Sequence, residues 1–171
     1  MKSLVCITGS KSTAPFIKAA LSRKLNIILF DLNPNAFCKN YSKIFHVVSC
    51  HNKYEILELV KSSTQESKII GVLCYSSDPN SLATSSYVSN KLNLPTFSQE
   101  SITAAYDKNV FYNLLYRKIN LPQKINFNEE PKSFPCIIKK KDGIGSQGTK
   151  KINSMKDLIN EKLNAKKNKI E

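Results

Sequence analysis

Short apolar runs alternate with helically spaced apolar residues along the front of this chain. Leu4-Val5-Cys6-Ile7 reads as a buried strand, and Thr8-Gly9-Ser10 follows it as a turn. Over residues 14–25, Phe16, Ala19, Ala20 and Leu25 fall near one helical face, and Pro15 suits the first turn of a helix. Residues 26–30 form a second apolar run ending at Asp31, and residues 44–48 a third, weaker one. Ile56, Leu57 and Val60 have helical spacing. Residues 68–75 are again strand-like, and residues 81–92 helical.

Strand and helix in strict alternation, joined by short turns, predict an α/β fold. The sheet is parallel and doubly wound, with helices on both faces. Such sheets bind ligands beyond the carboxyl ends of their strands. Those ends are Thr8-Gly9-Ser10, Asp31 and Ser76-Ser77-Asp78, with Thr8, Ser10 and the residues from Ser76 to Asp78 as candidate substrate contacts. This domain is expected to span residues 1–97.

A second, partial α+β domain is expected over residues 98–171. One long helix is predicted over residues 101–119, stopped by Leu121-Pro122, which cannot continue a helix. A short strand is expected at 124–127, another at 135–139 and a third at 150–153. A helix follows over 154–163 with Ser154 as its N-cap. Residues 164–171 are dense in charge and expected to fray. No internal repeat is evident.

The 171-residue chain is 41% hydrophobic, enough for a core, and no run approaches a membrane span. A soluble cytoplasmic protein is the expectation, with no membrane partner. The formal net charge of +13 attracts phosphates of any kind. Residues 1–100 carry 11 Lys plus Arg against 6 Asp plus Glu, and residues 101–171 carry 15 against 7. The Lys/Asn/Ile flavour is also what compositional bias alone produces, and the tail lacks the interleaved aromatics of a single-strand binder. Nucleic acid is therefore the lesser reading. The five cysteines form no C-x-x-C pair, and Cys6, Cys74 and Cys136 lie in apolar runs as small hydrophobes. His46 and His51 are too few and too isolated to suggest a zinc site.

Two nucleotide motifs are excluded at the first turn. It holds one glycine where a dinucleotide fingerprint needs G-x-G-x-x-G, although Asp31 resembles the acid that grips a ribose. The Walker pattern is missing too. Residues 134–148, FPCIIKKKDGIGSQG, offer different chemistry. A strand ends in Lys139, and Gly143, Gly145 and Gly148 then free the backbone to turn its N–H groups toward an anion. Lys139, directly after the apolar strand, adds a point charge for phosphate, with Lys140 as the alternative. A strand follows the loop, so this is a hairpin over phosphate rather than a loop feeding a helix. An ordinary polar hairpin would share these features.

The wider order of motifs carries more weight. Pro95-Thr96-Phe97-Ser98, Ala105-Tyr106-Asp107-Lys108, Asn120-Leu121-Pro122, Phe134-Pro135-Cys136-Ile137-Ile138-Lys139 and Asp142-Gly143-x-Gly145-Ser146-x-Gly148 follow one another. This series resembles the ATP-grasp superfamily, in its carbamoyl-phosphate-synthase-like and carboxylate–amine ligase branches. The resemblance implies a Rossmann-like domain followed by the first lobe of an ATP clamp. It implies that Lys108, Lys139, Gly143, Gly145, Ser146 and Gly148 contact ATP, with catalytic residues unassigned. It also implies a small carboxylate substrate, activated as an acylphosphate for attack by an amine. Asn93 and Asn120 replace the family's turn glycines, a mild change because asparagine tolerates left-handed geometry. Lys140 replaces the proline that usually follows the strand lysine. Mg2+ is expected, but its ligands belong to a second lobe that would follow Glu171. The chain alone is not expected to turn over. The alternative is a non-catalytic module that completes its nucleotide site in trans with a second copy or a complementing subunit.

Overall fold

A computed structural model of the protein describes residues 1–63, 67–140, 146 and 148–167. Two compact units emerge, Met1–Thr103 and Ala104–Glu171. The first contains β1 (Lys2–Ile7), α1 (Ala14–Ser22), β2 (Asn26–Asp31), β3 (Ile44–Val47), α2 (Lys53–Ser63), β4 (Lys68–Cys74) and α3 (Pro79–Lys91). The unit boundary falls within α4 (Gln99–Tyr106).

The four strands pair in parallel in the order β3-β2-β1-β4. Successive side chains on a strand point to opposite faces. Val5, Ile7, Ile28 and Phe30 therefore pack beneath α2 and α3, against Ile56, Leu57, Val60 and Val88. Cys6, Ile27 and Leu29 pack on the other face, against Ala14, Ile17 and Ala20 of α1 and Cys38 of the following loop. Helices cover both faces, as the alternating pattern predicts.

Helix ends follow local chemistry that apolar spacing does not report. The first helix stops at Ser22, short of the expected residue 25. Lys24 turns left-handed at φ 59°, while Lys24 N donates to Leu21 O and Leu25 N to Ala20 O. This is a Schellman ending with lysine where glycine is usual. The third helix ends the same way, with Asn93 at φ 55° and Leu94 N donating to Ser89 O. Asparagine here adopts the backbone for which the sequence pattern otherwise favours glycine.

The second unit contains α5 (Lys108–Leu115), β5 (Cys136–Ile138), β6 (Lys150–Ile152) and α6 (Met155–Lys167). The single helix expected over 101–119 is instead two. Asp107 takes an extended backbone, and its carboxylate accepts from Asn109 N at 2.8 Å and Val110 N at 3.2 Å. It thereby starts a new helix as an N-cap. The strand expected at 124–127 is absent: Asn126 and Glu129 close a turn there, with Asn126 Nδ2 donating to Glu129 Oε1 at 2.6 Å. The last helix runs on to Lys167, past the residue 163 expected, and Asp157 N donates to the Ser154 hydroxyl at its start. Strands β5 and β6 pair antiparallel, Ile137 opposite Lys151. Among the described residues of this unit, only Ile152 and Leu158 are buried apolar side chains.

Candidate functional site

Two places carry candidate chemistry, one in each unit. In the first unit the chain runs outward from β1 to β3, then crosses to place β4 on the far side of β1. The topological switch point thus lies between β1 and β4, where an open α/β sheet presents its ligand crevice. Ile7 pairs with Cys74, so Thr8-Gly9-Ser10 and the Tyr75–Asp78 segment leave the sheet side by side.

The β1 turn is tightly built. Thr8 has φ 80°, an outlier for a β-branched residue, held by its N–H donating to Phe30 O at 3.0 Å. Thr13 is fully buried, with its hydroxyl 3.1 Å from that of Ser10 and 3.4 Å from that of Thr8. A Cβ on Gly9 would lie 3.0 Å from Leu29 Cδ2 and 3.1 Å from Ala36 Cβ, so this turn accepts only glycine without movement. The Asp31 carboxylate accepts from Gly9 N at 2.7 Å through one oxygen and from Asn33 N at 2.9 Å through the other. The resemblance of Asp31 to a ribose-gripping acid thus gives way to a structural role: it ties the β1 and β2 turns together.

At the β4 side, Asp78 caps α3, accepting from Ser81 N at 2.8 Å and the Ser81 hydroxyl at 2.6 Å. His51 Nε2 lies 2.8 Å from the same Oδ2. Burial works to raise the Asp78 pKa, but the bonds from Ser81, His51 and Asn80 together outweigh it and hold the carboxyl below its usual range. A group whose folded pKa is depressed stabilises above its unfolded pKa and loses that contribution as pH falls through the folded value. The stability advantage of the wild type over Asp78→Asn is therefore expected to be full at neutral pH and to shrink on acidification below about pH 4. Urea midpoints of both proteins across that range check it, and a constant difference would refute it.

The thiols around the crevice are inert. Burial pushes Cys6 and Cys74 up to about 12. Burial, then the Asp31 and Asp78 carboxylates, push Cys50 up to about 11. Cys50 donates to Phe30 O, as Cys38 does to Ser10 O. None has the lowered pKa of a nucleophile.

In the second unit, the β5–β6 hairpin presents two unlike faces. Glu161 of α6 takes Lys150 Nζ at 2.7 and 2.8 Å, locking the helix to one face, where Ile152 and Leu158 are buried. The opposite face shows Ile137, 53% exposed, paired across the hairpin with Lys151, and the exposed Lys139 directly follows the strand. Ser146 and Gly148 have φ 62° and 71°. A Cβ on Gly148 would meet the Lys140 stem at 2.8 Å, so the Lys140 stem lies against Gly148; Lys139 and Lys140 are both exposed. Gly143 and Gly145 lie outside the described residues.

No family model and no curated protein matches this chain. Solved structures do match its fold. An L-amino acid ligase from Bacillus licheniformis superposes with a TM-score of 0.67 at 18% identity, over 97% of this chain and 42% of the ligase. N5-carboxyaminoimidazole ribonucleotide synthetase from Thermotoga maritima gives 0.71 at 20% identity, over 94% and 43%. Phosphoribosylglycinamide synthetase from Anaerococcus prevotii gives 0.68 at 17% identity, over 94% and 41%. The chain shares the fold of the matched portions of these three enzymes. This chain spans about two-fifths of the length of those structures.

Of the expected site residues, those that are described fall on two elements of the second unit. Lys139, Ser146 and Gly148 belong to the hairpin, while Lys108 opens α5 behind the Asp107 cap. Among the described residues, no group of three His, Cys, Asp or Glu side chains gathers as a metal site, and no helix is long and apolar enough to cross a membrane. Lys151 was not singled out by sequence; the register across the hairpin sets it opposite Ile137.

Proposed function

We propose that this chain supplies the lysine-bearing half of an ATP clamp in an ATP-grasp ligase, with the other half contributed by further polypeptide. The observation that carries the reading is the exposed hairpin face, which sets one apolar side chain, Ile137, opposite one cation, Lys151, next to the strand end that Lys139 follows. A nucleotide needs that pairing: apolar surface for its base and fixed positive charge for its phosphates. The left-handed backbone at Ser146 and Gly148 supports an anion-facing turn. Lys108, at the first turn of α5, adds a third cation in this reading, with Gly143 and Gly145 as further proposed ATP contacts.

Bound ATP would supply a phosphoryl group to a small carboxylate, whose acylphosphate an amine then attacks. In this scheme Lys139 neutralises phosphate charge and the hairpin shields it from water. Mg2+ would enter with the nucleotide; the described residues offer it no cluster of their own. Thr8, Ser10 and the residues from Ser76 to Asp78, at the switch point, hold the carboxylate substrate. Completion of the clamp by a separate subunit is the same chemistry in trans.

ATP titration by calorimetry tests this proposal. Lys139→Ala is expected to weaken ATP binding about tenfold or more, the loss of a hydrogen bond to a charged group. Lys140→Ala is expected to change it less, because the Lys140 stem lies against Gly148. Equal losses in both variants, or none in either, would overturn the assignment of Lys139.

A further inference from the structure

Charge in the first unit is segregated between the two faces of the sheet. Asp31 is the sole acid before Glu55 in the sequence, and both its oxygens serve the strand-end turns. Lys18 lies on α1, Lys11 in the turn before it, Arg23 and Lys24 in the turn after it, and Lys39 and Lys43 between β2 and β3; all six are exposed. The opposite layer is mixed: α2 alone carries Glu55 and Glu58 beside Lys53 and Lys61, and Lys61 pairs with Glu58 at 2.8 Å. Compositional bias would scatter lysines over both layers alike. It does not explain a face with six cations and one fully engaged acid.

Aromatic rings interleave with these cations. Lys18 Nζ stands 5.4 Å over the Tyr41 ring and Lys39 Nζ 5.4 Å over the Phe45 ring. Phe37, between them in sequence, is 54% exposed. We propose that the α1 face of the first unit is a docking surface for single-stranded nucleic acid. The cations track the phosphates, and Phe37 offers a platform on which a base stacks.

A lipid surface fits less well. Insertion needs one continuous apolar stripe, and the apolar stripe of α1 (Ala14, Ile17 and Ala20) is turned inward. The two large exposed apolar side chains of α1, Phe16 and Leu21, lie about 140° apart around the helix at 100° per residue. Phe16 is also engaged with Tyr75, ring centroids 4.8 Å apart.

The test is fluorescence anisotropy of the full chain with labelled oligouridine about 20 nucleotides long, under rising potassium chloride. Six phosphate contacts predict a log–log salt slope of about −4. The triple variant Lys18→Glu, Lys39→Glu and Lys43→Glu is expected to bind at least tenfold more weakly, with the slope cut to about −2. An equal charge change elsewhere, Lys61→Glu, Lys91→Glu and Lys132→Glu, is expected to stay within about twofold to threefold. Phe37→Ala is expected to lose about fivefold. Circular dichroism checks folding, and Lys→Gln substitutions at the first three sites replace the reversals if those unfold the chain. Equal losses in the two triple variants would reduce the effect to net charge and overturn the proposal. So would the absence of oligouridine binding, or stronger retention on phosphatidylserine vesicles than on oligouridine.

Discussion

Phe30→Ala is expected to destabilise the first unit by about 3–5 kcal/mol, the range for deleting a buried phenylalanine. Phe30 has no exposed surface and sits on a central strand. It stacks on His46 at 4.9 Å and packs in the cluster beneath α2 and α3. The paired strands β1 and β2 cannot close in to fill the cavity without breaking their ladder, so little of the loss is recovered. His46 Nε2 is already buried without a protein partner, and removing the ring changes the packing around that nitrogen as well. Urea unfolding followed by circular dichroism measures the effect. A loss below about 1.5 kcal/mol would mean that this part of the core is not closely packed.

Asp31→Ala carries the second large effect, about 2 kcal/mol. The carboxylate holds two backbone N–H groups from different turns, and hydrogen bonds to a charged group contribute about 1.5–3 kcal/mol each before exposure reduces them. The partial exposure of Asp31 sets the expectation near the lower end. The change should be local. Amide exchange at Gly9 is expected to accelerate far more than exchange in β1 itself, because the Thr8 N bond to Phe30 O remains. Slow exchange at Gly9 in the variant would show that the turn holds itself without the acid. Asp31→Asn, which keeps an acceptor for one N–H, is expected to fall between wild type and alanine.

The doubly wound unit was largely legible in the sequence because its central strands β1 and β2 are buried on both faces and read as unbroken apolar runs. Residues 68–75 stood out by apolar content although β4 is a half-buried edge strand, and the shorter edge strand β3 stood out less. What stayed hidden depends on polar side chains choosing among local hydrogen bonds. Asp107 looked like one more residue in a long helix, yet its carboxylate starts a new one. The segment at Asn126 looked strand-like, but a strand needs a partner and the side chain found Glu129 instead. Ser81, Thr84, Ser85, Ser86 and Ser89 are buried on α3, which apolar periodicity cannot detect. At the candidate site, Lys139 was legible because it ends an apolar strand. Lys151 was not, since cross-strand register is absent from one-dimensional patterning.

The second unit's slender core has a consequence for any ligand that docks on it. Two paired strands of three residues each are marginal by themselves, and the support beneath them rests on Ile152, Leu158 and the Lys150–Glu161 pair. Under the proposed function, a nucleotide resting on such a hairpin would become a structural member of it, and part of its binding free energy would go into ordering. If the receptive form is populated about a tenth of the time, apparent affinity falls about tenfold below the intrinsic value. Whatever else braces this hairpin, whether further chain or a second protein, would then tighten nucleotide binding without touching the nucleotide.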